Sequence, residues 1–160
     1  MDKTSDKKTA MNQKELDLII ADHALWLIDP SKGHQADLSW FNLARLDFRG
    51  TDCRKINFRK ADLCEADFCW AVCRDADFQD ANCHEADFFW ADCRDANFRG
   101  ADCRKADLRG ADCHEADFLW ADLREADLRW ADCREANFRW ADCHETNFLG
   151  TNLCNADFLD

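Results

Sequence analysis

The stretch ADLSW (36–40), FNLAR (41–45), LDFRG (46–50), TDCRK (51–55) decides how the chain is read, because the frame of five it opens never slips. It runs as 25 consecutive pentapeptides from Ala36 to Asp160, without an insertion. The central residue of each is Leu, Phe or Cys, 7, 10 and 8 times respectively. The residue two before it is Ala except at Phe41, Leu46, Thr51, Ile56, Thr146 and Thr151, and the residue one before it is Asp or Asn except at Val72. A fixed short period of this kind overrides any window-based reading of helix or strand.

A period of five advances about 500° on an α-helix, which scatters the central residues and leaves no apolar stripe. If the backbone instead turns a corner every five residues, and four corners close a coil, each side recurs every 20 residues. The central residue and the small residue two before it then face inward, and the other three face out. One inner column becomes Leu38, Phe58, Phe78, Phe98, Phe118, Phe138, Phe158, and the opposite one Phe48, Phe68, Phe88, Leu108, Leu128, Phe148. The other two hold Leu43, Leu63, Cys83, Cys103, Leu123, Cys143 and Cys53, Cys73, Cys93, Cys113, Cys133, Leu153. Rings thus fall on one pair of opposed sides and smaller side chains on the other. Phe ladders at the ~4.8 Å spacing of strands can stack with offset rings, and the Cys columns keep the interior from overfilling.

The Ala-Asp/Asn-Leu/Phe-X-X repeat resembles the pentapeptide-repeat family over 125 of the 160 residues. The resemblance implies an all-β solenoid, a right-handed quadrilateral β-helix with type II or type IV turns at its corners. It would have about six coils and stand roughly 30 Å tall, preceded by a short helical cap like those on many members.

Ahead of the repeat, residues 1–11 are polar and patternless and are expected to be a disordered tail. Asn12 and Glu15 fit a capping box. Leu16, Ile19, Ile20, Ala24 and Leu27 then recur at three and four, the stripe of a helix over about 13–28, which Leu25, Trp26 and Ile28 widen. Pro30 and Gly33 end it. The division expected is a tail (1–11), a capping helix (12–30), a linker (31–35) and the β-helix (36–160). The helix is expected to lie over the open end of the solenoid, whose terminal coil would otherwise expose core and strand edges.

The formal charge is −12, with 33 acidic and 21 basic residues. Most acids belong to the repeat grammar, so the charge argues against direct nucleic-acid binding, which needs a basic stripe. Eleven cysteines without a signal peptide point to reduced thiols and a cytoplasmic location. No apolar run is long enough to cross a bilayer, so no membrane partner is expected.

The sequence offers little chemistry. The inner cysteines form linear columns, too far apart for a disulfide at a Cβ separation near 3.8 Å and unable to converge on zinc. They read as small hydrophobes. Outside, Cys64 lies one rung from His84 with Glu65 and Glu85 nearby, but nothing fixes a second shell, and neither metal nor other cofactor is expected. There are three Ser and no Tyr, no Gly-rich phosphate loop, and no cleft on a regular rod, so no enzyme is expected. The Asp or Asn before each centre reads as a turn residue bonding nearby N–H groups.

The outward positions are more informative. Arg54, Arg74, Arg94, His114 and Arg134 form one column, each followed by Lys55, Asp75, Asp95, Glu115 or Glu135, so this wall is expected to neutralise itself. Six Trp of the repeat all lie two after a centre on the Phe-bearing sides. Trp70 and Trp90 are consecutive rungs flanked by Cys69 and Phe89, and Trp120 and Trp140 are consecutive on the opposite side next to Leu119. Such clusters mark partner surfaces. The alternative is that each indole lies over its corner beneath Arg109, Arg129 or Arg139. The function expected is a non-enzymatic, rigid protein-interaction module binding a protein partner through Trp70, Phe89, Trp90, Trp120 and Trp140. The resemblance supplies an alternative, a DNA-mimicking modulator of a type II topoisomerase (gyrase), as in quinolone-resistance pentapeptide proteins. The absence of projecting loops and of a C-terminal dimerising helix, and the Arg interleaved with the acids, weigh against it. With no capping segment after the repeat, an end-to-end homodimer is expected over a coil blocked by Asn155, Asp157 and Asp160.

Overall fold

The computed structural model describes residues 9–159. Parallel bridges join residues 20 apart from Asp37–Asn57 to Asn137–Asp157 without a break, so four pentapeptides close each coil of a right-handed quadrilateral β-helix. Each side is a strand so short that one residue, the Asp or Asn before the centre, makes its bridge. The ladder has three bonds per pentapeptide. In one repeat these run from Phe98 N–H to Asp117 O at 2.7 Å, from Gly100 N–H to Leu119 O at 2.9 Å, and from Asn97 N–H to Ala76 O at 3.0 Å.

Every corner closes with a bond from residue i+3 to the central carbonyl, such as Ala101 N–H to Phe98 O at 3.0 Å. The residue two after the centre has φ between 54° and 75° throughout. Positive φ at the third position with this bond is the type II pattern, so the corners are uniform and not a mixture of types. Only Gly50, Gly100, Gly110 and Gly150 are glycines at these positions. The others hold side chains in left-handed backbone at about 1 kcal/mol or more each, a cost offset by the ladder on either side.

The N–H one after the centre points away from the ladder, and the Asp or Asn two residues earlier accepts from it. Leu119 N–H to Asp117 Oδ1 is 3.0 Å and Arg139 N–H to Asn137 Oδ1 is 3.1 Å. This is why the repeat wants Asp or Asn there. Val72 is the one departure, and it leaves the Arg74 N–H without that acceptor. Val72→Asn should therefore stabilise the rod by about 0.5–1.5 kcal/mol, read as a higher urea midpoint. No gain would remove this account of the Asp/Asn position.

Inside, the central residues from Leu38 to Cys133 and the alanines from Ala61 to Ala136 are buried. Rings stack in parallel along each Phe column, with centroids 4.7 Å apart and 2° between planes for Phe78–Phe98. The two columns meet edge to face, Phe88 and Phe98 at 5.6 Å and 86°. Phe98 accordingly touches two stacked neighbours and one perpendicular one. Thr146 and Thr151 stand where the repeat prefers Ala because their hydroxyls donate to Leu123 O and Leu128 O at 2.7 and 2.6 Å. All eleven cysteines are free.

The helix, α1, spans Gln13–Ile28 with the Asn12/Glu15 capping box formed in both directions. It lies over the first coil. Leu16 is buried there, with Met11, Ile19 and Ile20 packed beside it. Leu25 and Ile28 do not widen the buried stripe, being 49% and 83% exposed, because they lie on the side of α1 away from the coil. The stripe instead continues through His23, which is fully buried. Gly33 lets the returning chain touch α1: a Cβ there would sit 2.2 Å from Asp22 O and 2.7 Å from Trp26 N.

The first coil has no coil beneath it, and several of its free backbone groups are met by the segment before it. Strand β1 (Thr9–Ala10) pairs in parallel with β2 (Phe41–Asn42), and Met11 N–H extends the pairing to Asn42 O at 3.1 Å. Thr9–Ala10 is thus ordered as strand, while the rest of the expected tail, residues 1–8, lies outside the described residues. The Gln13 amide accepts from Asp47 N–H at 2.8 Å and donates to Asp47 O at 2.9 Å, as a neighbouring strand would. His23 Nδ1 accepts from Ala36 N–H at 3.1 Å and its Nε2 lies 2.8 Å from Arg54 O, which fixes the neutral tautomer with the proton on Nε2. Gln35 Nε2 donates to Lys55 O at 2.7 Å.

Candidate interaction surface

The corner position that carries positive φ throws its side chain outward, and on one Phe-bearing side that position holds Trp70 and Trp90 on consecutive rungs. Their indoles are parallel, 5.7 Å apart at 5°. Phe89 stands perpendicular to both, at 6.1 Å from Trp70 and 6.3 Å from Trp90. The two indoles remain 61% and 51% exposed. Beyond them Trp90 lies over Gly110, where a Cβ would fall 2.8 Å from Cε2, so a side chain at 110 would lift the ring. Three of the sequence-predicted residues are therefore one aromatic patch.

Trp120 and Trp140 are not brought into ring contact, although both are exposed. Arg99 lies over Trp120 at 5.8 Å. Arg129 covers Trp130 at 5.5 Å and Lys60 covers Trp40 at 4.7 Å. Arg109 lies over Phe89, at 5.1 Å, and not over an indole. The two readings of the tryptophans thus divide by location: cation-covered corners at Trp40, Trp120 and Trp130, and a ring cluster at Trp70–Phe89–Trp90.

The charge lattice differs from its sequence reading. Arg residues do not pair with the acids that follow them: wherever an Asp stands two before, the Arg forks back onto it on the same outward side, and Arg74, with Val72 there, reaches Asp92 of the next rung at 2.6 Å instead. Arg109 Nε and Nη2 reach Asp107 at 2.8 and 2.5 Å, and Arg104 reaches Asp102 at 2.8 and 2.6 Å. The fork holds the carboxyls of Asp52, Asp102, Asp122 and Asp132 below the usual carboxylate range. Where His114 replaces the Arg, burial pushes Asp112 up. Many arginines also reach the Asp of the next rung, as Arg49 does to Asp67 at 3.4 Å. Asn amides serve the same end: Asn57 donates to Asp37 at 2.9 Å and Asn82 to Asp62 at 2.8 Å.

Because those arginines are taken, Asp75, Asp95 and Glu135 have no ion-pair partner among the described residues, and Glu115 has only the His114 ring at 3.2 Å. The wall expected to be self-neutralised therefore carries an acidic ridge along its corner.

Cys64 Sγ lies 3.9 Å from His84 Nδ1, but Glu65 is forked by Arg45 at 3.0 and 2.8 Å. Among the described residues, the group whose potential ligand atoms converge is another one, Asp67, Cys69 and Asp87, all within 4.8 Å of one another. Burial, with hydrogen bonding toward Asp87 and Asp67, pushes the Cys69 thiol far up, so it sits there as a neutral S–H. The sequence contains the signal for this spot: Cys69 and Phe89 stand where the other rungs of that side mostly carry Arg.

No helix of the described residues is long and apolar enough to cross a membrane. A family model for pentapeptide repeats matches in 8 copies, over residues 42–71, 56–92, 86–120 and 121–160. No curated protein matches by sequence. Among solved structures, a pentapeptide repeat protein of the Arabidopsis thaliana thylakoid lumen is similar at 30% identity and TM-score 0.51, covering 70% of this chain and 68% of that one. A pentapeptide repeat protein from Nostoc PCC 7120 shares the fold at 20% identity and TM-score 0.59, covering 92% and 98%. A plasmid-mediated fluoroquinolone resistance protein superposes at 22% identity and TM-score 0.44, over 75% and 71%. With its repeat matched from Asn42 to Asp160 and its coils closed every 20 residues, the chain belongs to the pentapeptide repeat family.

Proposed function

We propose that the protein is a rigid, non-enzymatic docking rod that binds a protein partner through the Trp70–Phe89–Trp90 patch. The carrying observation is that two indoles, each more than half exposed, stack on each other and on Phe89 instead of being covered by the rod's own cations. Exposed, mutually buttressed aromatics are the side chains from which interface hot spots are built. Trp70→Ala/Trp90→Ala should leave the coils intact, since neither indole belongs to the core, and should remove specific prey from a pulldown against a native lysate. Identical prey for the two proteins would discard the patch.

A second reading, action on gyrase as a DNA mimic, is favoured by the acidic ridge of Asp75, Asp95, Glu115 and Glu135. A supercoiling assay separates it: inhibition at about micromolar rod, at nanomolar to micromolar affinities typical of specific complexes, supports it, and full supercoiling removes it. For the last coil, where Cys143, Phe148 and Leu153 are only partly buried and Phe158 is 44% exposed, the partner expected is a second copy. A monomeric mass by light scattering at high concentration would exclude that.

A further inference from the structure

The lattice of Asp and Arg has one gap, and it lies in the aromatic patch. Each Asp before a centre on the described rungs, Asp87 excepted, has a guanidinium from its own rung, a guanidinium from the rung before, or an Asn amide from the rung after. Asp37 and Asp62 have the amide. Asp67, Asp77 and Asp117 have the arginine of the rung before, at 3.4, 3.2 and 3.0 Å. For Asp87 all three are missing. Its own rung carries Phe89, the rung before carries Cys69, and the rung after carries Asp107, itself held by Arg109. Among the described residues its one side-chain partner of ordinary strength is the Phe89 N–H, which Asp87 Oδ1 accepts at 2.9 Å. That bond turns the carboxylate outward in the same pose as its neighbours.

The neighbours show what such a pose accommodates. At Asp107, Oδ1 takes the Arg109 N–H and Nε, while Oδ2 takes Nη2. Asp87 presents the same atoms with the fork absent. Phe89 already carries a guanidinium on one face, that of Arg109 at 5.1 Å, and Trp70 and Trp90 complete an aromatic wall around it. A planar, weakly hydrated cation that forks a carboxylate and stacks on rings is an arginine, whereas an ammonium is compact and strongly hydrated. The chain's charge of −12 favours a basic partner at long range.

We propose that Asp87, with the rings of Trp70, Phe89 and Trp90, is a seat for an arginine side chain of a partner protein, which serves the one described ladder Asp that neither a guanidinium nor an Asn amide of the repeat bonds. This rests on the docking reading above and names the chemistry of the partner's anchor. The neutral Cys69 thiol beside Asp87 offers no competing charge.

The test uses a capped Gly-Arg-Gly peptide, followed by 15N NMR of the indole N–H signals, with Trp26, Trp40, Trp120, Trp130 and Trp140 as internal controls. The Trp70 and Trp90 signals should shift saturably with the arginine peptide and at least about five-fold more weakly with its lysine counterpart, the margin expected from losing one charge-assisted bond. Asp87→Asn should weaken binding about ten-fold or more on the same basis. It should fold normally, because Asn already serves this position at Asn57, Asn97 and Asn137. Cys69→Arg keeps all three rings and should abolish binding by supplying the guanidinium from within the chain, as Arg49 does for Asp67. No saturable shift, equal affinity for the lysine peptide, or binding unchanged by both variants would overturn the proposal. In the pulldown, prey lost by Trp70→Ala/Trp90→Ala but kept by Asp87→Asn would leave docking standing and remove the arginine seat.

Discussion

Phe98→Ala should cost about 3–5 kcal/mol, the range for truncating a fully buried ring that the surroundings cannot refill. The collapse that softens such losses elsewhere is blocked here. Phe78 and Phe118 are held 4.7 and 4.9 Å away by ladders of backbone bonds, and Phe88 meets the ring edge-on at 5.6 Å. Closing the cavity would require shortening a coil spacing that every hydrogen bond on four sides fixes. Stability in a solenoid is a sum over coils and their interfaces, so the loss should appear first as enhanced amide exchange in the coils around 78–118. Urea denaturation measures the total. A change below about 1 kcal/mol, the scale of a tolerated volume swap, would mean that the interior is not packed in the registered columns described.

His23→Phe should be the most damaging change in the cap. It keeps the ring volume and the stacking with Trp26, whose centroid lies 5.4 Å from that of the imidazole, but it orphans the buried Ala36 N–H and the part-buried Arg54 carbonyl. A buried group left unpaired costs about 1–3 kcal/mol, so two such groups together cost about 2–6 kcal/mol. The consequence should be local opening: α1 undocks, the Ala36 amide exchanges rapidly, and the coils beyond the first remain protected. For comparison, Asn12→Ala removes the helix cap at about 1 kcal/mol and leaves those two groups bonded. If Ala36 stays protected in His23→Phe, the imidazole is not what closes the edge of the first coil.

The interior was legible because it repeats. Side chains five apart share the inside and those twenty apart share a column, so Phe78, Phe98 and Phe118 could be placed over one another from residue numbers alone. Helix α1 was legible for similar reasons: a capping box at Asn12 and Glu15, then apolar residues at three and four. The surface was less so. Arg74, Arg94 and Arg134 stand next to Asp75, Asp95 and Glu135 in sequence, which suggests neighbouring ladders of opposite charge. In the short extended segment of each rung, however, the residues before and after the centre point to the same outward side, and the next residue turns away at the left-handed corner. The guanidiniums of Arg94 and Arg134 therefore meet the Asp two before them, that of Arg74, with Val72 in that place, meets Asp92 of the next rung, and the corner acids are left over.

What the sequence determined by itself was the coil: its period, its four sides, which residues fill it, and the helix laid at its start. Those features depend on side-chain volume and polarity at fixed intervals, and every pentapeptide states them again. Only the tertiary structure decided the features that occur once. The Gln13 and His23 side chains act as surrogate strands 34 and 31 residues away in the chain. Trp70, Phe89 and Trp90 close into one patch while Trp120 and Trp140 do not, and among the described ladder aspartates Asp87 alone is bonded by neither a guanidinium nor an Asn amide. Each of these depends on which neighbour happens to be absent on an adjoining rung, and only packed coils bring those rungs together.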